Sequence, residues 1–150
     1  MITHKMLAAR NIKSCNNKKM NFILDIAVEK IMEQGCGCFV TATGVAYIDY
    51  KSGYRDSIGI LLKRSDLAGH SSWIASETSK PLVAKLRTKF GIDISMQSEN
   101  DRFVKFLTKL QDAHDDNFCE FNREHVSLRP KDLMNAFLFD CENIRETIND

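Results

Sequence analysis

The chain has 150 residues, 43% of them hydrophobic and 27% charged, with a formal net charge of +1. That length suits one domain able to bury about 70% of the surface its unfolded form exposes, and the composition is globular rather than disordered. Residues 1–98 carry 14 Lys/Arg against 8 Asp/Glu, a balance of +6, while 99–150 carry 7 against 12, a balance of −5. This two-ended charge bears on partners and says nothing about fold.

Residues 1–19 read as a flexible basic lead-in containing Lys13, Lys18 and Lys19, and 20–150 as a single globular α+β domain. The opening decapeptide has only a short apolar run, below the 7–15 residues of a signal-peptide core. No apolar stretch approaches the roughly 18 residues of a membrane span. Five cysteines, an odd number at irregular spacing, argue against a disulfide framework and for reduced thiols, so the expected location is cytoplasmic, without membrane contact.

Met20, Ile23, Leu24, Ala27 and Ile31 recur at helical spacing until Gly35 stops them. From Cys38 to Leu62 the pattern becomes β-branched and aromatic. Val40, Val45, Tyr47, Ile48 and Tyr50 stand before Lys51-Ser52-Gly53, and Ile58, Ile60, Leu61 and Leu62 after it, which predicts a β-hairpin. A helix beginning at Ser57–Lys63 is the competing reading. Small polar residues over 65–79 predict a loop holding Trp73. A second helix follows, with Ser79 as cap, Pro81 in its first turn, Leu82, Val83, Leu86 and Phe90 as apolar face, and Gly91 as stop.

Ser98-Glu99-Asn100-Asp101 resembles a capping box and opens a predicted helix over 99–115, with Phe103, Phe106, Leu107, Leu110 and His114 on one face. One or two turns are expected within Phe118–His125. Pro130 opens a last helix through Leu133, Phe137, Leu138, Cys141, Ile144 and Ile148. The expected fold is α+β and mostly helical, four to five helices packed around a β-hairpin. The expected core is Ile23, Ile26, Ile48, Ile60, Leu86, Phe103, Phe106, Leu107, Leu110 and Phe137.

Cys36-Gly37-Cys38 offers two thiols, with His114, Cys119 and His125 as remote donors, but these gaps fit no familiar zinc spacing, so small buried thiols are the simpler reading. In His114-Asp115-Asp116 a carboxylate stands beside an imidazole. Adjacent helical residues point in different directions, which favours a packed helix-end histidine. Cys15 has a basic setting in the lead-in, and Cys119 and Cys141 sit on apolar faces. No nucleophile elbow, phosphate loop or dinucleotide fingerprint occurs.

Two charged patches are the candidate binding sites: a basic one of Lys80, Lys85, Arg87 and Lys89, and an acidic one of Asp112, Asp115, Asp116 and Glu120. Each could meet a partner of opposite charge, and each could equally be a solvated surface. Asp140, Glu142, Glu146 and Asp150 add acid to the last helix.

The segments Tyr54-Arg55-Asp56-Ser57-Ile58-Gly59-Ile60-Leu61 and Phe106-Leu107-Thr108-Lys109-Leu110-Gln111-Asp112-Ala113-His114-Asp115 resemble a group of small bacteriophage and prophage proteins without established activity. In that group an early helix precedes a Tyr-Arg-like segment, an Ala-Ile-Gly-Cys-Leu-like strand and a Leu-Gln-x-x-His-Asp helix end. The resemblance spans residues 20–126 and implies a phage-like origin rather than a mechanism. Ser57 and Ile60 stand where the group often has cysteines, and a C-terminal helix is added; both depart from a metal or thiol role for that strand.

The functional expectation is a small cytosolic protein-interaction module, encoded by a phage or mobile element and acting on a host or phage protein. The alternative is a nucleic-acid-binding protein using the basic helix 80–90, and the second alternative a thiol- or metal-dependent enzyme. A protein partner leads, with nucleic acid second and a homodimer also open. No cofactor or metal is expected.

Overall fold

A computed structural model of the chain describes residues 8–38, 47–94, 96–119 and 129–149. Four long helices carry the fold: α1 (Asn17–Gln34), α3 (Lys80–Phe90), α4 (Gln97–Asp115) and α5 (Pro130–Asn149), with the short α2 (Arg64–Leu67) between the first two. Tight 3₁₀ turns sit at Gly59–Leu61 and Glu77–Ser79. Helix α5 packs against both α1 and α4, and the 3₁₀ turn at Gly59–Leu61 rests on α1.

The expected start of α1 moves three residues toward the N-terminus because Asn16 caps it, its side-chain oxygen accepting from Lys19 N–H at 2.9 Å. Gly35 ends the helix in the left-handed region at φ 85°, its N–H bonded to the Ile31 and Met32 carbonyls. The preceding segment is held against this helix. Ala9 and Cys15 are buried, and the fully buried Lys19 sends Nζ to the carbonyls of Ala9 and Arg10 at 3.4 and 3.0 Å. Those carbonyls belong to a helical stretch over 8–10, whose last turn a cation stabilises.

Helix α3 has Pro81 in its first turn and Gly91 as its left-handed cap at φ 65°. Ser79 occupies the N-cap position without making the cap bond; its hydroxyl turns to Ser76, the Ser72 carbonyl and the Tyr47 hydroxyl. Helix α4 begins at Gln97 with Met96 in the N-cap position and no side-chain cap. Ser98 therefore lies inside the first turn, not at the cap, and the capping-box reading is corrected.

The β-hairpin and the α+β class do not hold. Among the described residues there is no strand, and Ile48 and Arg55 form an isolated antiparallel bridge around the turn at 49–54. Val40 and Val45 of the expected first arm lie outside the described residues. The second arm is replaced by the 3₁₀ turn because the Asp56 side chain accepts from the Ile58 and Gly59 N–H groups at 3.0 and 2.7 Å. A carboxylate that captures the next N–H groups in this way withdraws them from a strand ladder. The fold is helical.

The core forms where the apolar stripes of α1, α3, α4 and α5 meet. Of the expected core, Ile23, Ile48, Leu86, Phe103, Phe106, Leu107, Leu110 and Phe137 are buried, while Ile26 and Ile60 are half-buried at its margin. Among the described residues no helix is long and apolar enough to cross a membrane.

Candidate functional site

The C-terminal turn of α4 carries three polar or charged side chains into the interior. Leu110, Gln111, His114 and Asp115 face the segment from Tyr47 to Gly59, and Gln111, His114, Asp115, Asp56 and Ser57 are all buried. Ser57 Oγ donates to the Leu110 carbonyl at 2.7 Å, and Gln111 Oε1 accepts from Ile74 N–H at 2.9 Å. These bonds pin two loops to one helix end.

His114 is fixed at both nitrogens. Nε2 lies 3.0 Å from the Cys38 N–H, which can only donate, and Nδ1 lies 2.8 Å from Asp115 Oδ1. Nε2 is therefore the acceptor and the ring proton sits on Nδ1, directed at the carboxylate. Phe118 and Phe137 enclose the ring, with centroids at 5.1 and 6.3 Å. The expectation that His114 and Asp115 point apart is corrected: at the last residues of the helix the Asp115 side chain folds back onto its neighbour.

Two glycines close the cluster. A Cβ at Gly37 would stand 2.5 Å from His114 Nε2 and from the Phe118 ring, and one at Gly59 would stand 2.0 Å from the Tyr47 carbonyl oxygen. Asp56 lies beneath the Gly59 turn. Burial, followed by the charge of Asp115, pushes its carboxyl well above the usual carboxylate range, while the Gly59 and Ile58 N–H groups and the Gln111 amide pull the other way. Asp56 Oδ2, Asp115 Oδ2 and Gln111 Nε2 are buried without a hydrogen-bond partner.

Donor atoms of Asp56, His114 and Asp115 all lie within 4.8 Å of one another, and no cysteine belongs to such a group among the described residues. Cys36-Gly37-Cys38 enters this region through backbone: the Cys38 N–H holds His114, and Gly37 lets the chain approach it. The Cys38 thiol is pushed up to about 12, by burial first and then by Asp56. Cys15 and Cys141 are likewise buried, their thiols raised to about 11 and about 12 by desolvation. Thiols so raised stay protonated at neutral pH, the wrong state for a nucleophile or a metal ligand. His125 lies outside the described residues.

The basic residues of 80–90 divide between two faces of α3. Lys85 lies 3.9 Å from Asp66 Oδ1, and Lys89 donates to the Leu61 carbonyl. Lys80 and Arg87 turn instead toward α4 and border a cleft of about 740 Å³ lined also by Ile74, Val83, Val104, Lys105 and Lys109. Lys80 pairs with Glu77 at 2.6 Å and Arg87 donates to Asn100 at 3.0 Å. Among the described residues Lys105 and Lys109 have no carboxylate partner. Sequence reasoning missed these two because they stand four apart inside an otherwise acidic half, where no run of charge marks them.

Of the acidic residues, Asp112 and Asp116 are exposed, Asp115 is buried against His114, and Glu120 lies outside the described residues. Partial burial, followed by neighbouring carboxylates, raises both carboxyls: Asp116 and Asp115 act on Asp112, and Asp115 and Asp140 on Asp116. Asp56 was also missed as a site residue, although an Asp followed three residues later by Gly is a recognisable turn signal.

The chain matches no protein-family model, no curated protein and no solved structure. Two places in the molecule carry unusual chemistry, a sealed polar cluster and an open cleft.

Proposed function

We propose that this chain is a protein-interaction module whose working surface is the cleft between α3 and α4, and that its partner presents an acidic segment with an apolar stripe. The observation that carries this reading is the pair Lys105 and Lys109, without carboxylate partners, beside a floor of Ile74, Val83 and Val104. A groove of this size with an apolar floor and a basic rim suits the face of an amphipathic helix. Its cations would speed encounter and fix register more than they would add affinity.

The cleft favours protein over nucleic acid. Glu77 and Asp101 stand among its cations, where they would repel phosphates, and Lys85 and Lys89 are occupied on the opposite face of α3. A duplex binder needs several uncommitted cations on one face.

The test is fluorescence anisotropy with two labelled probes, an acidic amphipathic helical peptide and a DNA duplex. The peptide is expected to bind with affinity that falls as salt rises, and Lys105→Glu with Lys109→Glu to weaken it about tenfold. Preferential binding of the duplex would overturn the proposal. So would sedimentation as a dimer that the double variant dissociates, since the cleft would then be a contact between copies.

A further inference from the structure

Asp56 and Asp115 pose a charge problem that no described side chain solves. Both are buried, at 0% and 6% exposure, their donor atoms converge within 4.8 Å, and among the described residues neither is paired with Lys or Arg. Two carboxylates so placed cannot both remain ionised without a positive charge between them.

The groups around them are arranged for the anionic forms. Asp56 Oδ1 accepts from two backbone N–H groups at 3.0 and 2.7 Å. Asp115 Oδ1 accepts from His114 Nδ1–H at 2.8 Å, and His114 is held from behind by the Cys38 N–H. Each carboxylate has one oxygen tethered, and each leaves Oδ2 buried and bare. A single proton would satisfy one bare oxygen and waste the donors that favour its anion.

We infer that Asp56 and Asp115 bind one divalent cation between their carboxylates, with His114 as a positioning residue that holds Asp115 and not as a ligand. Both imidazole nitrogens are committed, so the ring has no lone pair to offer while the Cys38 contact stands. Carboxylate oxygens without nitrogen or sulfur donors select the hard cations, of which Mn²⁺ and Mg²⁺ are the natural class.

The experiment is Mn²⁺ titration of the full chain by calorimetry, with NMR of the histidine rings as a reporter that needs no variant. One equivalent is expected to bind and to broaden the His114 ring signals, to leave the Nδ1–H visible when diamagnetic Mg²⁺ replaces Mn²⁺, and to lose at least tenfold in affinity in Asp56→Asn and Asp115→Asn. Circular dichroism establishes that each variant is folded. The His114 signals remaining sharp at millimolar Mn²⁺ would overturn the site. Loss of the Nδ1–H on loading with Mg²⁺ would make His114 a ligand and overturn its positioning role.

Discussion

Helix α4 is two different objects along its length. From Gln97 to Lys109 its polar side chains lie at the surface, Arg102 reaching the Cys15 carbonyl and Asn17, and Asn100 accepting from Arg87, while Lys105 and Lys109 border the cleft with no carboxylate partner among the described residues. From Leu110 to Asp115 the side chains of Gln111, His114 and Asp115 turn inward, Asp112 alone staying exposed, and the helix end is bonded to loops distant in sequence, Cys38 to His114 and Ile74 to Gln111. The first half is where charge can act on another molecule; the second is where charge and hydrogen bonding hold this one together. Substitutions at the two ends should therefore report on different properties.

The largest effect is expected at Gly59→Ala. The added Cβ would lie 2.0 Å from a backbone oxygen of Tyr47, so the turn that holds Asp56 has to open, and a loss on the order of 4 kcal/mol is expected in urea unfolding. A change below 1 kcal/mol would mean that the turn gives way freely, and the contrast between the two ends of α4 would weaken. His114→Ala comes next, at about 3 kcal/mol, because it leaves a cavity between Phe118 and Phe137 and removes the partners of the Cys38 N–H and Asp115. His114→Gln, which keeps polar atoms near those partners, should recover part of that loss.

A third effect belongs to the buried half as a whole. The thiols of Cys15, Cys38 and Cys141 are raised from 9.0 to about 11, about 12 and about 12, mainly by burial. The unfolded chain then gives up these protons first, so their stabilising effect is intact below pH 9 and is lost as pH rises from there toward 11 to 12. Within that window each thiol contributes a slope of roughly 1.4 kcal/mol per pH unit, and burial raises the Tyr47 hydroxyl in the same direction. The urea midpoint should fall between pH 8 and pH 10, and less steeply in Cys141→Ala. An unchanged midpoint would show these thiols to be wetter than their burial indicates. Half-buried Cys36 and Cys119 should alkylate ahead of the other three.

The helices were legible because each rests on local rules: the 3.6-residue stripe, Pro81 early in α3, and glycine caps at Gly35 and Gly91. The hairpin misled because Ile58, Ile60, Leu61 and Leu62 carry the β-branched and apolar composition of a strand, while one buried carboxylate at Asp56 decides the backbone instead. His114 was legible as a packed residue on the α4 stripe. Its partners were not, since the Cys38 N–H lies 76 positions away and spacing along a chain carries no signal for backbone donors. The basic run at 80–90 was legible as charge but not as geometry: 100° per residue sends Lys80 and Arg87 to one side of α3 and Lys85 and Lys89 to the other.

The smallest expected effect on stability is at the open end of α4, and it sharpens the comparison most. Lys105 is exposed, Lys109 is half-buried, and neither has an ion-pair partner among the described residues. The double substitution Lys105→Glu, Lys109→Glu should therefore shift the urea midpoint by no more than about 0.5 kcal/mol. It changes the charge beside the cleft by four units while leaving the Asp56, His114 and Asp115 contacts alone. If the variant unfolds early, the cations help hold α3 and α4 together and the cleft is part of the fold's own bonding. If it stays stable while peptide affinity drops, stability and recognition are carried by opposite ends of a single helix.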